Sequence, residues 1–252
     1  MSHVLIVGES WISQSTHIKG FDQFESSTYQ IGVGPLRAAL VDGGHEVTPV
    51  PGHAAAAELP FAIEGLGVYD VIVLSDVGAD TLLLSPQTFL EGRTTPNRLA
   101  LLRDWVVAGG GLAMAGGYLS FQGIGGRARY RRTPIEEVLP CTIDPWDDRV
   151  EVPEGAVAAI TDGAHPILAG VGGEWPALLG YNRVHLREDA VLLAEFDGDP
   201  LLAVREAGAG RTLAWTSDIG PHWCPEPFVT WPGYAALWCQ AVAWLANRRI
   251  GV

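Results

Sequence analysis

The sequence predicts an α/β fold in which helices cover both faces of a doubly wound, mostly parallel sheet, with additional antiparallel strands in the C-terminal half. In the first half of the chain, short runs that are apolar at nearly every position alternate with helical segments. This is the pattern of parallel strands buried on both faces and joined by right-handed crossovers. In the second half, shorter strand-like runs follow one another across turns, which is typical of antiparallel pairing.

Each element has its own local signal. Strands are predicted where apolar runs are bounded by turn residues: 3–8, 45–50, 69–75, 112–115, 147–152, 157–160, 190–196, 201–205 and 211–215. Helices are predicted where apolar residues recur at helical spacing: 35–42, 96–108, 133–139 and 232–249. For the second of these helices we expect Thr95 to be the N-cap, Pro96 to occupy the first position, and the glycines at 109–111 to end it.

The connection between the first strand and the first helix, residues 9–34, is unusually long for a compact domain. Such loops are either functional or disordered, and aromatic residues at Trp11, Phe21, Phe24 and Tyr29 argue against disorder. We therefore expect an ordered flap over the carboxyl edge of the sheet.

Composition limits the classes of protein to consider. A chain of 252 residues with 48% hydrophobic content can form one domain over residues 1–252. Its formal charge of −13 argues against nucleic acid and anionic membranes as partners, because both attract basic surfaces. The first residues do not resemble a signal peptide, and the most apolar long segment, 235–246, is too short to span a membrane.

The cysteines indicate a reducing compartment. Cys141, Cys224 and Cys239 are odd in number and lack the spacing of a zinc site. We therefore expect a cytoplasmic protein with no cofactor and no metal. Nine tryptophans and an apolar final helix favour a homo-oligomer.

The stretch WVVAGGGLAMAGGYLSF, residues 105–121, directs attention to one corner of the sheet. Gly116 and Gly117 follow a short buried strand, at the carboxyl edge where open α/β sheets bind ligands. The other candidate ligand-binding residues follow strands that end at the same edge or lie near the corner: Glu9, Ser10, Trp11, His17, Asp76, Tyr118, Ser120 and Trp223. For the tryptophans, packing beneath the flap is the alternative.

A basic cluster lies just beyond this corner. Arg127, Arg129, Arg131 and Arg132 fall within a few residues of one another. A solvated loop that balances acidic neighbours is the simpler interpretation, and an anion site is the alternative.

Four segments in the order found here resemble class I glutamine amidotransferase-like proteins. They are GGGLAMAGGYLSF, AHPILAG at 164–170, PLLAVREAGAGRTLAWTSD at 200–218 and GPHW at 220–223. The resemblance covers nearly the whole chain. It implies a flavodoxin-like sheet with a catalytic cysteine on the sharp strand-to-helix turn, a histidine after a later strand and a nearby acidic residue. In that arrangement the turn exposes the nucleophile and backbone amides hold the oxyanion.

Carried over to this sequence, the turn position is Gly116, the histidine is His222, and the acidic partner is Asp218 or Glu226. Gly116 has no side chain, so a glutaminase thioester cannot form there. We therefore expect a protein that keeps the pocket and binds a small carboxylate or amide, with the amides of Gly117 and Tyr118 available to hold an anion.

An active amidohydrolase or amidotransferase is the alternative. It would act on a carbon–nitrogen bond with His222 and Cys224, a hydroxyl, water or a metal. The metal version of this hypothesis draws its ligands from the loops after the parallel strands: His17, Asp22, Asp76, Asp218 and His222. His222 could also be a structural histidine that bonds a neighbouring loop.

Overall fold

The computed structural model describes residues 1–246. Its strands are β1 (His3–Gly8), β2 (Ser10–Lys19), β3 (Asp22–Ile31), β4 (Glu46–Val50), β5 (Val71–Ser75), β6 (Gly111–Ala115), β7 (Cys141–Thr142), β8 (Arg149–Ala156), β9 (Ala159–Ile160), β10 (Leu178–Asn182), β11 (His185–Leu186), β12 (Val191–Phe196), β13 (Asp199–Ala207) and β14 (Gly210–Trp215). Its helices are α1 (Gly34–Asp42), α2 (Gly52–Glu58), α3 (Ile63–Leu66), α4 (Ala79–Leu83), α5 (Pro86–Phe89), α6 (Arg98–Val107), α7 (Pro134–Val138), α8 (Glu226–Val229) and α9 (Pro232–Leu245).

A central sheet of eight strands has the order β4-β1-β5-β6-β14-β13-β12-β9. The first five strands are parallel, and β13, β12 and β9 extend the sheet in antiparallel fashion. The predicted fold class, a mostly parallel flavodoxin-like sheet with antiparallel additions, is confirmed. Three two-stranded ribbons, β10–β8, β11–β7 and β2–β3, lie outside this sheet.

Strand side chains alternate between two hydrophobic layers, because successive residues of a strand point to opposite faces. In β1, Val4 and Ile6 enter the layer covered by α1 and α9, whereas Leu5 and Val7 enter the layer under α2, α4 and α6. The same alternation runs through β5, β6 and β14. Both faces are therefore buried, as continuous apolar runs predict.

One local prediction, the start of helix α6, needs correction. The N-cap of α6 is Asn97, whose side chain accepts hydrogen bonds from the amides of Leu99 and Ala100, so the assignment of Thr95 and Pro96 is wrong. Strand β10 was not predicted from the sequence. Helix α9 ends at Leu245, and positions 247–249 of the predicted final helix lie outside the described residues. Within residues 1–246, no helix has the length and apolarity needed to cross a membrane.

The predicted flap is instead a β-hairpin, β2–β3, that projects from the body; we call residues 10–31 the arm. Its strands pair without interruption from Ser10↔Ile31 to Lys19↔Asp22. At its base, the amide of Gly52 donates to Ser10 Oγ at 2.9 Å. Residues 14–31 are all exposed, so the arm does not cover the sheet edge.

Candidate functional site

Four neighbouring parallel strands end at one edge of the sheet and deliver the candidate site. Glu9 follows β1, Asp76 follows β5, the glycine corner Gly116-Gly117 follows β6, and Asp218 lies shortly after β14. Because β1, β5, β6 and β14 are adjacent and parallel, residues distant in sequence meet here. Sequence reasoning predicted all five of these positions.

The glycine corner has no room for a side chain. The Gly116 amide donates to the carbonyls of Trp215 at 2.7 Å and Ser217 at 2.9 Å, and a Cβ on Gly116 would lie 2.1 Å from the Thr216 carbonyl oxygen. Gly117 has φ +138°, and a Cβ there would lie 2.9 Å from a carboxylate oxygen of both Asp76 and Asp218. The backbone itself therefore excludes a nucleophilic side chain at either position.

The amides of the corner are already bonded within the protein, which corrects the expectation that Gly117 and Tyr118 offer them to a ligand anion. The Gly117 amide donates to Asn182 Oδ1 at 2.9 Å. The Leu119 amide donates to Asp76 Oδ1 at 2.6 Å, and the amide of Tyr118 also stabilises the Asp76 carboxylate. A carboxylate of the protein thus occupies the place expected for a bound anion.

Glu9 is a buried carboxyl group with an uncommon backbone conformation. Its φ is 49°, and it accepts a hydrogen bond from Ser75 Oγ at 2.6 Å. Burial, together with the negative charges of Asp218 and Asp76, raises its pKa to about 8. Glu9 therefore carries a proton at neutral pH.

Asp76 occupies the equivalent position after the next strand and has φ 45°. Its amide donates to Ser120 Oγ at 3.1 Å. Burial raises the pKa of Asp76 to about 6, the Asp218 charge adds to this, and the bonds from Leu119 and Tyr118 oppose it. Left-handed non-glycine residues cost energy, and Glu9 and Asp76 both adopt this conformation at the same edge of the sheet.

His222 and Asp218 form a hydrogen-bonded pair. His222 Nδ1 lies 3.2 Å from Asp218 Oδ2, the same oxygen that accepts the Trp223 amide at 3.0 Å. The bond to Asp218 raises the pKa of His222, which favours imidazolium over imidazole. Asp218 is buried, whereas the His222 side chain is 47% exposed. The pair thus places at the cleft an imidazole that is held by a buried acid.

One wall of the cleft contains residues that the sequence did not indicate. The Tyr118 hydroxyl donates to Glu151 Oε1 at 3.1 Å, and the Trp223 indole donates to Glu151 Oε2 at 2.9 Å. The Arg149 guanidinium stacks over the Tyr118 ring at 4.8 Å. The Tyr118 ring also meets the His222 ring edge-on at 4.6 Å. This wall orients both rings.

These residues enclose a cleft of about 750 Å³. Residues from the predicted set and from the following loops line it: Glu9, Trp11, Asp76, Tyr118, Leu119, Ile124, Arg127, Asp218, Pro221 and His222. The floor carries carboxyl groups and an imidazole, the sides carry apolar surface, and Arg127 is an exposed cation of the lining. A cavity of this size and mixed lining suits a small molecule.

Several predicted site residues lie elsewhere. Cys224 is buried in the core, where burial raises the thiol pKa far above its usual range, so the thiolate needed for attack does not form there. Glu226 is an exposed residue at the start of α8. His17 lies on the arm, stacked on Phe24 at 4.5 Å. Ser10 accepts the amide of Gly52 and is not part of the cleft lining.

Two other predicted residues support the site from behind. Ser120 Oγ accepts the Asp76 amide, and Trp223 contributes its indole to the Glu151 wall. No group of three or more histidine, cysteine or acidic side chains within residues 1–246 is arranged to hold a metal ion. The proposed metal set fails because His17 and Asp22 lie on the arm.

The family model described as "Putative glutamine amidotransferase" matches residues 3–247. The chain belongs to this family. Among curated proteins, none matches the sequence. The predicted family resemblance is therefore confirmed.

Two solved structures are similar to this amidotransferase-like chain over nearly their whole length. The cytoplasmic protein STM3548 from Salmonella typhimurium is 40% identical, with a TM-score of 0.94, covering 97% of this chain and 99% of that one. The cytoplasmic protein STM1381 from Salmonella typhimurium LT2 is 42% identical, with a TM-score of 0.93, covering 96% and 99%. A ThuA-like protein from Parabacteroides merdae shares the fold at 14% identity, with a TM-score of 0.61, covering 98% and 90%.

Proposed function

We propose that this chain is an amidotransferase-fold protein without glutaminase activity that binds a small, donor-rich ligand, an amide or an amine, in the cleft. The observation that carries the proposal is the Asp76 carboxylate, which accepts a hydrogen bond from the Leu119 amide at 2.6 Å. With the amides of Gly117 and Leu119 in use, the floor of the cleft offers carboxylate acceptor oxygens, and the donors beside them are the His222 ring and Arg127.

The charges in the cleft favour an amide or an amine as the ligand over a carboxylate. Asp76 is ionised above pH about 6, and the closely placed Asp218 adds to the same field. Bringing a second carboxylate beside them into a low-dielectric cleft costs free energy. An N–H group gains a charge-assisted hydrogen bond at the same place.

The size of the cleft and its aromatic residues support binding of the rest of such a ligand. Trp11 and Tyr118 supply apolar surface, and His222 supplies a directed donor. Since similar structures are named cytoplasmic proteins, and the cysteines in the described residues are unpaired, we propose a cytoplasmic, single-domain protein.

The test is a titration with three compounds that share one carbon skeleton: propionamide, propylamine and propionate. Trp11 lines the cleft, so tryptophan fluorescence and amide chemical shifts report binding. We expect the amide or the amine to bind at least about tenfold more tightly than the carboxylate, a difference of about 1.4 kcal/mol. Preferential binding of propionate would contradict the proposal, as would release of ammonia from glutamine.

A second candidate, hydrolysis of a carbon–nitrogen bond, is favoured by one specific observation. The cleft holds a carboxyl group that is protonated at neutral pH, Glu9, together with an ionised carboxylate, Asp76, and an imidazole whose pKa is raised by Asp218, His222. Groups with pKa values pushed apart are the elements of general acid–base catalysis.

In that reaction Asp76 takes a proton from water as the oxygen attacks the amide carbon. His222 then donates its proton to the departing nitrogen as the carbon–nitrogen bond breaks, giving a carboxylic acid and an amine. The test is ammonia release from a panel of primary amides by the wild-type chain and by Asp76→Asn. A rate that rises as pH passes about 6, and is lost in Asp76→Asn, would favour the enzyme over the binding protein.

A further inference from the structure

The arm has two faces of different chemistry. In its uninterrupted antiparallel register, paired residues point to the same side of the ribbon. One face begins with Trp11 at the cleft, continues with the small hydroxyl residues Ser13, Ser15, Ser26 and Thr28, and reaches the stacked rings of His17 and Phe24 near the tip. The opposite face, which we call the isoleucine face, carries Ile12, Tyr29 and Ile31 near the base and Ile18 near the tip, with polar residues at 14, 16, 25 and 27 between them.

The isoleucine face is open to solvent. Ile12 is 59% exposed, Ile18 is 72% exposed and Ile31 is 63% exposed. Only the base of the arm is held to the body, through Ser10 and through an edge-on contact between Tyr29 and His53 at 5.3 Å. A single two-stranded ribbon is marginally stable in water, and clustered exposed apolar residues mark an interaction surface.

We propose that the isoleucine face docks on a second copy of this chain, with two arms exchanged about a two-fold axis. A ribbon of ten-residue strands is about 34 Å long and about 10 Å wide, so one face offers about 340 Å². Two arms, each covering an equal area of the partner, bury about 1,400 Å² in total. That area lies within the range of about 1,200–2,000 Å² for stable protein pairs.

The arm adds little charge repulsion to an association between identical chains at this surface. The whole chain has a formal charge of −13, and like charge opposes self-association. The arm carries one cation, Lys19, against two acids, Asp22 and Glu25, so it adds little to that repulsion. The chemical difference between its faces then decides which side makes the contact.

Light scattering and sedimentation of the full chain, over about a hundredfold range of concentration, test the proposal. The disruptive variant is Ile12→Asp with Ile18→Asp. The matched control is Ser13→Asp with Ser15→Asp, which adds the same charge to the same strand on the opposite face. A milder variant, Ile18→Thr, keeps a β-branched side chain and so preserves the strand.

We expect dimers for the wild-type chain and for the control. The double isoleucine variant is expected to raise the dimer dissociation constant by at least about a hundredfold, and Ile18→Thr by about tenfold. A monomeric wild-type chain at every concentration would overturn the proposal, including the case in which the arm binds a different protein. Dimers that persist in the double isoleucine variant, or dissociate equally in the control, would also overturn it.

Discussion

The side-chain amide of Asn182 holds both backbone polar groups of Gly117. Its Oδ1 accepts the Gly117 amide at 2.9 Å, and its Nδ2 lies 3.2 Å from the Gly117 carbonyl oxygen. The same Nδ2 donates to Asp148 Oδ1 at 2.8 Å, and Asp148 accepts the amides of Gln122 and Gly123. The end of β10 therefore fixes the glycine corner through a network that is entirely buried.

Replacing Asn182 by leucine is expected to lower the free energy of unfolding by about 3 kcal/mol. The change leaves the Gly117 amide without a buried partner and removes the bond that Asp148 accepts from Asn182, and each such loss costs about 1–3 kcal/mol. Urea denaturation measures the effect. Gln87→Ala, on the exposed surface of α5, is the control and should change stability by less than about 0.5 kcal/mol. A change equally small in Asn182→Leu would show that the network does not hold the corner.

Restoring a cysteine at the corner is expected to fail. In Gly116→Cys the Cβ would lie 2.1 Å from the Thr216 carbonyl oxygen, so the turn must deform and stability should fall by more than about 3 kcal/mol. Gly34→Cys adds the same side chain where no atom lies within 4 Å, and it should be tolerated. A folded Gly116→Cys protein that releases ammonia from glutamine would refute this reading of the corner.

Stability should decrease from acid to alkaline pH. Glu9 titrates at about 8 in the folded chain against about 4.5 in the unfolded chain, so the folded state binds more protons between these values. The free energy of unfolding therefore falls by a few kcal/mol as pH rises through that window. Asp76, at about 6, acts in the same direction below that pH, and so does His222, whose raised pKa gives stability that is lost as its proton leaves.

Glu9→Gln isolates the largest of these effects. We expect the variant to lose most of the pH dependence above pH about 6, whereas Asp76→Asn should lose only part of the dependence below it. Urea denaturation at several pH values measures both slopes. An unchanged slope in Glu9→Gln would mean that Glu9 is ionised at neutral pH.

Ligand binding should depend on His222 and not on Cys224. His222→Ala removes a cleft-facing donor, and we expect a loss of affinity of at least about tenfold. Cys224→Ala removes a buried thiol, and we expect less than about a twofold change in affinity. Titration of both variants with the tightest compound of the propionyl series is the measurement. Loss of function in folded Cys224→Ala would restore the cysteine hypothesis.

The order of the strands in the sequence was enough to predict that most residues of the candidate site lie close together. Glu9, Asp76, Gly116 and Asp218 each follow a strand that the sequence reveals by its apolar run, and parallel strands end at one edge. Asn182, Asp148 and Glu151 come from the β8–β10 ribbon, which lies outside the central sheet. The position of these three residues beside the site depends on the pairing of β8 with β10, and no local pattern in the sequence predicts that pairing.

The strands of the arm could not be predicted from the sequence for a different reason. Ile12 and Ile18 lie on the same face of β2, but polar residues intervene on both faces, so the alternation was too weak to predict strands. The residues of 9–34 were recognised as ordered from their aromatic content. Whether they folded over the edge or away from it depended on contacts at the base of the arm, such as those of Ser10 and Tyr29.

The sequence by itself determined the doubly wound fold, the family and the absence of a nucleophile at Gly116, because each depends on local periodicity, motif order or a single residue identity. The tertiary structure decided how the site is charged. Glu9 keeps its proton because the ends of four strands bury it beside Asp218 and Asp76. The same arrangement places the Asp76 carboxylate where it accepts the Leu119 amide. Desolvation and charge proximity are properties of the folded arrangement, so no inspection of residue types could supply them.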